Sequence, residues 1–236
     1  MELRELIKAF GRRMGVQIAS TARSGINHCV DLHRIRKLDT FATIFDIGAH
    51  VGETSTYYAD CARQATIFSF EPVQSNFVQL VECAQRIPRI KPVCVALGSS
   101  EGKRPLYRGA TSQTHSLVAL STPNDSRDDL PERVDVTTAD AFASANHIER
   151  IDLLKTDTEG FDLEVLRGAH ELLDSRAIDF VYSEVGFDRN DPRHTYFDDI
   201  FQFLREYQFG FLGLYELAPN GPPWHLEYCN ALFSRV

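Results

Sequence analysis

The chain has 236 residues, of which 43% are hydrophobic, 25% charged and 11% aromatic. This composition is typical of a globular protein and excludes the disordered and collagen-like classes. The formal net charge of -8 argues against a nucleic-acid partner, because contacts to phosphates need a basic surface.

The sequence has no marks of secretion, of a membrane span or of a structural metal. No hydrophobic run approaches the roughly 18 residues that cross a bilayer, and no apolar signal region precedes the basic N-terminal residues. The five cysteines are widely spaced and contain no C-x-x-C pair, which favours buried free thiols over disulfides or a zinc site. We therefore expect a cytoplasmic protein.

Residues 1–40 form an N-terminal lead-in that stands apart from residues 41–236, which are predicted to be one domain. Its hydrophobic residues recur at helical spacing opposite a basic face, in a stripe made by Leu3, Leu6, Ile7, Phe10 and Met14. The favoured interpretation is a helix that packs on the domain as a cap. The alternative is peripheral contact with an anionic membrane surface.

From residue 43 onward, strand-like apolar runs alternate with helical periodicity. The predicted strands are 43–47, 66–70, 92–97, 151–155 and 180–185, and the predicted helices are 52–62, 75–85, 163–173 and 197–207. This alternation is typical of βαβ units, so the sequence predicts an α/β fold with a mostly parallel sheet.

Two segments depart from this alternation. Residues 98–131 are rich in Gly, Ser, Thr, Pro and charge and are predicted to form a hairpin and loop that covers a cleft at the strand ends. The alternative is a solvated hairpin with no part in the site. The last two strands, 209–217 and 227–233, are joined by a segment too short for a crossover helix. They are therefore predicted to be antiparallel.

The segment FDIGAHVGET at 45–54 places an acid at a strand end, followed by two glycines and a helix. Gly48 and Gly52 allow the backbone to pass close to a ligand, and the helix N-terminus offers unpaired N–H groups. A dinucleotide fold requires a further glycine where this chain has His50. Asp46 before the glycines disfavours phosphate and suits a cation such as the methionine end of S-adenosylmethionine.

A second acid, Glu71, ends the next strand, 25 residues after Asp46. There its carboxylate is placed to accept hydrogen bonds from the two ribose hydroxyls of an adenosine. Asp46 and Glu71 are therefore predicted to hold one ligand. The alternative is that each only caps a helix, which is common for acids at βα junctions.

Three further carboxylates are predicted at the same edge of the sheet. Asp157 and Glu159 follow the strand 151–155, and Glu184 ends the neighbouring strand. Ligands of open α/β sheets bind outside the carboxyl ends of the strands, so these acids should face one cleft. Lys155 lies on the same strand face as Asp157, and pairing between lysine and acid is the structural alternative.

Six segments match, in order, the motifs of one known family. They are FDIGAHVGETS at 45–55, FSFEPVQSNFVQL at 68–80, VALGSSEG at 95–102, SL at 116–117, DLLKTDTEGFDLEVLRGAHELL at 152–173 and SEV at 183–185. On these segments the chain resembles the FkbM family of S-adenosylmethionine-dependent methyltransferases. The resemblance implies a class I methyltransferase (Rossmann-like) fold over residues 41–236, with a mostly parallel seven-stranded sheet, an antiparallel last strand and helices on both faces.

The resemblance also implies O-methylation, often of sugars, glycolipids or other natural products, with S-adenosylmethionine as cofactor. The cofactor-binding residues that it implies are Asp46, Gly48, His50 and Gly52 on the methionine side, Glu71 at the ribose, and Ala96 and Leu97 beside the adenine. Many relatives have Asn where this chain has His50, and Ile or Val where it has Thr158. Neither departure removes a contact that the chemistry requires.

Methyl transfer from a sulfonium needs an oxygen nucleophile in line with the methyl carbon and a group that removes its proton. Asp157 or Glu159 is the predicted base, and Glu184 and His115 are the second choices. His194 is a weaker candidate, because a lone loop histidine is usually a surface residue. The alternative to a base is a divalent metal held by the three carboxylates, which would acidify the acceptor hydroxyl.

Two other function classes are alternatives to a methyltransferase. A dinucleotide-dependent oxidoreductase would need a phosphate cradle, which residues 45–54 lack. A catalytically silent, methyltransferase-like scaffold would not need Asp46, Glu71, Asp157 and Glu159 together. The predicted partner is therefore a small molecule or glycoconjugate with a hydroxyl acceptor, and not a nucleic acid.

Overall fold

The structure, a computed structural model, describes residues 25, 27–107, 115–118, 132–220 and 225–235. The predicted stripe from Leu3 to Met14 and most of residues 108–131 lie outside the described residues. Among the helices of the described ranges, none is long and apolar enough to cross a membrane.

Ten strands and seven α-helices follow one another in the described part of the chain. The strands are β1 (Thr43–Ile47), β2 (Thr66–Phe70), β3 (Ile90–Val93), β4 (Ala96–Leu97), β5 (Gly102–Leu106), β6 (Glu132–Thr137), β7 (Ile151–Thr156), β8 (Ile178–Gly186), β9 (Phe209–Asn220) and β10 (His225–Arg235). The helices are α1 (His28–Arg36), α2 (Glu53–Cys61), α3 (Gln74–Arg86), α4 (Ala139–Ala145), α5 (Asp162–Arg167), α6 (His170–Asp174) and α7 (Phe197–Glu206).

Seven strands form the main sheet, in the order β3-β2-β1-β7-β8-β10-β9. The pairs from β3 to β8 are parallel, and β10 runs antiparallel to both β8 and β9. The strand order reverses between β1 and β7, which is where an open α/β sheet forms its ligand crevice. This topology confirms the predicted class I methyltransferase fold with an antiparallel last strand.

The central strands supply both hydrophobic layers of the molecule. β7 and β8 are buried along their whole lengths, as expected for strands covered by helices on both faces. Leu153 and Phe180 pack in the layer with α1, α2 and α3, whereas Leu154 and Val181 pack in the layer with α4 to α7. Successive side chains of a strand point to opposite faces, so adjacent residues divide between the two layers.

α1 is the described end of the predicted lead-in, and it packs on the sheet. Its Cys29 and Leu32 belong to the same hydrophobic cluster as Tyr58 of α2. The side chain of Asn27 caps the helix by accepting a hydrogen bond from the backbone N–H of Val30 at 3.1 Å. The division of the chain at residue 41 stays a prediction.

The predicted strand over 92–97 is wrong, because this run is divided between two sheets. β3 ends at Val93 on the edge of the main sheet, whereas β4 pairs with β6 in a three-stranded sheet of order β4-β6-β5. β5 lies within the predicted hairpin and loop of residues 98–131 and pairs antiparallel with β6, whereas no prediction covered β6 or α4. The apolar run from Val93 to Leu97 contains no turn residue and therefore gave no sign of the change of sheet.

The predicted helix over 163–173 is also wrong in detail, because α5 and α6 replace it on either side of Gly168. A Cβ atom at Gly168 would lie 2.0 Å from the carbonyl oxygen of Gly98. The chain therefore passes directly against the segment that follows β4, and the helix is interrupted there.

All five cysteines are free thiols, as predicted. Cys29 and Cys229 are buried, but Cys94 is exposed, so the expectation of burial is wrong for that residue. It follows β3 at the sheet edge, where the chain leaves the main sheet.

Candidate active site

A cleft opens at the carboxyl ends of β1, β2 and β7, and we call it the first cleft. The predicted site residues that line it are Gly48, His50, Glu71, Ala96, Leu97, His115, Asp157 and Glu159. Its apolar wall is made by Ile47, Phe70, Val73, Leu106, Leu117 and Phe161. Its open space, counted with its mouth and the solvent there, is about 590 Å³.

The glycine turn between β1 and α2 lies against the backbone of β7. Gly48 has φ +78°, and a Cβ atom there would lie 1.9 Å from the carbonyl oxygen of Asp157. His50 also adopts a left-handed backbone conformation, with φ +48°. Glycine is thus required at position 48 both for its dihedral angle and for the close approach of two chain segments.

Glu71 is fixed in the wall of the first cleft at the end of β2. One carboxylate oxygen accepts a hydrogen bond from the N–H of His50 at 3.0 Å, and the other accepts from the N–H of Val73 at 2.8 Å. Burial raises the pKa of Glu71 to about 7, although these two hydrogen bonds oppose the shift. The side chain of Asn76 is a third donor to this carboxylate, which with about four acceptor sites in all keeps room for a ribose hydroxyl.

Asp46 is placed differently from the prediction, because its carboxylate is fully buried and absent from the lining of the first cleft. One oxygen accepts a hydrogen bond from the hydroxyl of Ser55 at 2.5 Å, and the other lies 3.1 Å from Nζ of Lys155. Gly52 does not line the cleft either. An acid at a strand end can point toward the ligand or beneath the glycine turn, and the sequence pattern is the same in both cases.

Lys155 joins the glycine turn to the strand ends. Its ammonium lies 3.1 Å from Asp46 and 3.4 Å from Asp157, and it donates a hydrogen bond to the carbonyl of Gly48 at 3.3 Å. The side chain is only 3% exposed. Burial opposes its charge, but the two carboxylates outweigh burial and raise the pKa of Lys155 above its usual value. The pairing of this lysine with acids, which was the structural alternative to a ligand-binding role, is therefore present.

Four carboxylates, Asp157, Glu159, Asp162 and Glu184, interact at the ends of β7 and β8, and we call them the acidic cluster. Burial and then the neighbouring acids raise the pKa of Glu159 to about 7 and that of Asp162 to about 6. The same causes raise the pKa of Glu184 further. Asp157 is an open member, with 37% of its side chain exposed. A cationic ligand beside the cluster would favour the ionised forms of these acids.

Sequence reasoning missed Asp162. It is fully buried, and its carboxylate accepts a hydrogen bond from the backbone N–H of Thr158 at 3.2 Å. That contact holds the loop which carries Glu159. The residue belongs to the matched segment 152–173, and this was the only signal for it.

The described part of the insertion lies across the first cleft. Tyr107 and Ser116 exchange backbone hydrogen bonds at 2.8 and 3.0 Å. The hydroxyl of Ser116 donates to the carbonyl of Glu159 at 2.6 Å, and His115 lines the cleft. Residues 115–118 therefore cover part of the opening, and the rest of the predicted loop lies outside the described residues.

A second cleft lies on the other side of Lys155 and Asp157, and its open space, also counted with its mouth, is about 740 Å³. Its lining comes from α1, α2, β7, β8, β9 and β10 and from the residues that flank them, and consists of Asn27, His28, Glu53, Thr54, Tyr57, Tyr58, Lys155, Asp157, Tyr182, Glu216 and Asn230. Asp157 lines both clefts. The sequence did not predict the second cleft, because its walls come from segments far apart in the chain.

The wall of the second cleft contains aromatic rings beside polar groups. The ring of His28 stacks on that of Tyr182, with centroids 4.1 Å apart. Burial lowers the pKa of His28 to about 4, so this ring is neutral at pH 7. Within the described ranges, Nε2 of His28, the hydroxyl of Tyr58 and Oδ1 of Asn230 are buried and have no hydrogen-bond partner. Buried polar atoms are nearly always paired, so these three favour a polar ligand or water there.

The expectation that His194 is a surface residue is wrong. Its side chain is buried, and its ring stacks on Tyr228 with centroids 4.4 Å apart. Its Nδ1 lies 2.9 Å from a carboxylate oxygen of Asp191. A lone loop histidine gives no sequence signal for such an environment.

Glu184 lines neither cleft, because its side chain is buried behind the open residues of the acidic cluster. The structure therefore brings together Asp157, Glu159, Glu71, His115 and the glycine turn at one surface. Asp46, Gly52 and Glu184 are not part of the lining of the first cleft.

The chain is similar to two curated methyltransferases. The hexuronic acid methyltransferase AglP of Haloferax volcanii is 28% identical over 156 residues, which cover 63% of this chain and 58% of that protein. The methyltransferase sdnD of Sordaria araneosa is 28% identical over 173 residues, which cover 61% of this chain and 66% of that protein. The matches thus span less than two thirds of the length of either relative.

Among solved structures, the chain is similar to the fibrillarin of Aeropyrum pernix in complex with natively bound S-adenosyl-L-methionine. The TM-score is 0.47 and the identity 12%, over 82% of this chain and 66% of that chain.

A family model described as the methyltransferase FkbM domain matches residues 46–211. The match runs from β1 into β9 and includes the glycine turn, Glu71 and the acidic cluster. Since it covers more than half of the chain, the protein belongs to the FkbM methyltransferase domain family.

Proposed function

We propose that the protein is an S-adenosylmethionine-dependent O-methyltransferase that acts on a hydroxyl of a sugar, glycoconjugate or related natural product. The observation that carries this proposal is that two clefts of different chemistry meet at Asp157. One cleft suits a nucleoside with a cationic end. The other suits an acceptor rich in hydroxyls.

The lining of the first cleft supports S-adenosylmethionine as its ligand. Glu71 offers carboxylate oxygens for the ribose, and Ala96, Leu97 and Phe161 offer an apolar surface for the adenine. Asp157 and Glu159 lie in the same wall. Their charge favours a sulfonium cation over the phosphates of a dinucleotide, which argues against the oxidoreductase alternative.

The second cleft supports a sugar as the acceptor. Sugar hydroxyls need both donors and acceptors, and sugar rings stack on accessible aromatic faces. Tyr57 supplies a partly exposed ring, and His28, Tyr58 and Asn230 supply buried polar atoms that have no partner within the described ranges. The similarity to a protein named hexuronic acid methyltransferase agrees with this class of acceptor.

Asp157 is the residue that we assign as the base. An acceptor hydroxyl that enters from the second cleft reaches the carboxylate of Asp157 first and the first cleft after it, because Asp157 lines both clefts. The acceptor oxygen attacks the methyl carbon, the carbon–sulfur bond breaks with its electron pair going to sulfur, and the hydroxyl proton passes to Asp157. Lys155 holds this carboxylate in place at 3.4 Å, so positioning supplies much of the acceleration. An enzyme needs two open clefts, one for its cofactor and one for its acceptor, whereas a catalytically silent scaffold does not. The two clefts therefore favour an enzyme.

The test is methyl transfer from methyl-labelled S-adenosylmethionine to fractionated cell extracts, with separate glycan, small-molecule, RNA and protein fractions. We expect label in glycans or small molecules, in ethers that survive mild alkali. Label that appears only in RNA or protein contradicts the acceptor class. Label released by mild alkali indicates a methyl ester, and the acceptor is then a carboxylate, which a hexuronic acid also carries.

The same assay tests the assigned base. Asp157→Asn should lower the turnover rate at least about a hundredfold, which is the usual contribution of a general base. The control is Asp198→Asn, at a half-exposed position on α7, which should leave the rate unchanged. Full activity in Asp157→Asn would move the base to another residue.

A further inference from the structure

Three potential ligands lie together where the two clefts adjoin. One oxygen each of Glu159 and Glu184 and one ring nitrogen of His194 all lie within 4.8 Å of one another. Glu159 also lines the first cleft. Glu184 is paired in strand register with Asn230, which lines the second cleft. The group therefore lies beside the place where the proposed cofactor and acceptor meet.

Glu184 lacks the partner that a buried carboxylate requires. The residue is 7% exposed, and within the described ranges its Oε2 has no hydrogen-bond partner. The ammonium of Lys155 is already paired with Asp46 and Asp157. Isolated buried charges are costly, so a cation in this position would stabilise the cluster.

His194 is oriented in the way that metal-binding histidines usually are. Its Nδ1 pairs with Asp191 at 2.9 Å, which leaves Nε2 to carry the free lone pair. Asp191 is itself held by the backbone N–H and the guanidinium of Arg193, each at 3.0 Å. The stack on Tyr228 fixes the plane of the ring. A carboxylate on the second nitrogen fixes the tautomer and strengthens the imidazole as a ligand.

We infer that Glu159, Glu184 and His194 bind a divalent first-row transition-metal ion, such as Mn²⁺ or Zn²⁺. One imidazole with two carboxylates suits these ions better than Ca²⁺ or Mg²⁺, which prefer oxygen ligands alone. Metal–ligand bonds of about 2.0 to 2.2 Å put two tetrahedral ligands of one ion about 3.3 to 3.6 Å apart. The three side chains, whose ligand atoms lie within 4.8 Å of one another, therefore need to close by up to about 1.5 Å.

The role of such an ion rests on the proposed function, whereas its binding does not. Next to Asp157, the ion would coordinate the acceptor oxygen and lower the pKa of its hydroxyl. The proton would then pass to Asp157 as the oxygen–carbon bond forms and the carbon–sulfur bond breaks.

The test is the titration of Mn²⁺ into the full chain without a purification tag, after treatment with a chelator. Free Mn²⁺ is measured by electron paramagnetic resonance, because its signal is lost on binding. We expect one site per chain and displacement of Mn²⁺ by Zn²⁺ but not by equal Ca²⁺. Glu184→Gln and His194→Gln should each weaken binding at least tenfold. Asp191→Asn, which removes a positioning residue, should weaken it about tenfold.

The matched control is His170→Gln, because His170 is exposed and pairs with Asp140 away from the clefts. It should bind Mn²⁺ as the unsubstituted protein does. Calorimetric titration of each variant with S-adenosylmethionine shows whether the first cleft is still folded. No Mn²⁺ binding by the unsubstituted protein overturns the inference, and so does unchanged binding in Glu184→Gln and His194→Gln. Absence of S-adenosylmethionine binding contradicts the proposed function instead.

Discussion

Lys155 is the residue on which the charge balance beneath the first cleft depends. It is the buried cation next to the fully buried carboxylate of Asp46. A buried ion pair adds little net stability, but the removal of one partner leaves an uncompensated charge. Lys155→Met should therefore lower the free energy of unfolding by about 3 to 5 kcal/mol, measured by urea denaturation.

Two further variants control this prediction. Asp46→Asn together with Lys155→Met removes both charges and should recover much of the loss. Lys103→Met breaks an exposed pair with Asp135 and should change stability by less than about 1 kcal/mol. A loss in Lys155→Met as small as that in Lys103→Met would mean that the buried pair does not hold Asp46 in its charged form.

Glu71 should make cofactor binding depend on pH near neutrality. Burial raises its pKa to about 7, so the acid is largely protonated at pH 6 and then has fewer lone pairs for ribose hydroxyls. We expect the affinity for S-adenosylmethionine to rise about tenfold from pH 6 to pH 8, since one group with this pKa titrates over that interval. Glu71→Gln should flatten the profile, and an equally steep profile in that variant would assign the dependence to another group.

The same raised pKa has a consequence for the stability of the ligand-free protein. The unfolded chain releases the Glu71 proton near pH 4.3, whereas the folded protein keeps it until about pH 7. This group's stabilising contribution is therefore complete below about pH 4.3 and is lost as the pH rises toward 7.

At the scale of elements, α1 contributes directly to the second cleft through its first residue. His28 stacks on Tyr182 and has a buried Nε2 without a partner in the described part of the chain. His28→Phe keeps an aromatic ring but removes this nitrogen. It should raise the KM for the acceptor about tenfold, the value of one lost hydrogen bond, and leave the Kd for S-adenosylmethionine unchanged.

The matched control lies on the same helix. His33 is exposed, so His33→Phe should change neither constant. If His28→Phe instead weakens cofactor binding and leaves the KM for the acceptor unchanged, the second cleft is not the acceptor site.

The turn between β1 and α2 carries the strictest requirement for glycine. Gly48→Ala would place a methyl group 1.9 Å from the Asp157 carbonyl in a left-handed conformation. Gly25→Ala provides the comparison, because Gly25 also has a positive φ but no atom of the described residues lies within 4 Å of the added Cβ. The control should cost about 1 to 2 kcal/mol from the dihedral angle alone. Gly48→Ala should cost more and weaken S-adenosylmethionine binding, measured by urea denaturation and calorimetry.

The elements that sequence predicts well are those with a long, regular pattern. β1, β2, β7, β8 and the antiparallel pair near the C-terminus follow from apolar runs bounded by turn residues. The split of residues 90–97 between two sheets does not follow, because Val93 and Ala96 belong to one apolar run. Which sheet a strand joins is decided by packing partners that are distant in the chain.

At the scale of the whole molecule, the site residues that could be predicted from the sequence are those that lie in short motifs directly after a strand. Glu71 and Asp157 each follow a strand, and the parallel sheet brings their ends to one edge. The second cleft depends instead on His28, Tyr182 and Asn230, which only the tertiary fold brings together. The direction of the Asp46 carboxylate likewise depends on Lys155, a partner about a hundred residues away in sequence.

The whole molecule therefore combines a first cleft for a nucleoside, a second cleft for an acceptor, and acids where the two adjoin.

The central claim is that the first cleft binds S-adenosylmethionine through Glu71. Isothermal titration calorimetry of the full chain with S-adenosylmethionine tests it most directly. We predict one site, and a loss of about 1.5 to 3 kcal/mol in Glu71→Ala, which is a ten- to hundredfold weaker Kd. Glu82→Ala, at an exposed position on α3, should bind normally. No binding by the folded protein, or unchanged affinity in Glu71→Ala, would contradict the claim.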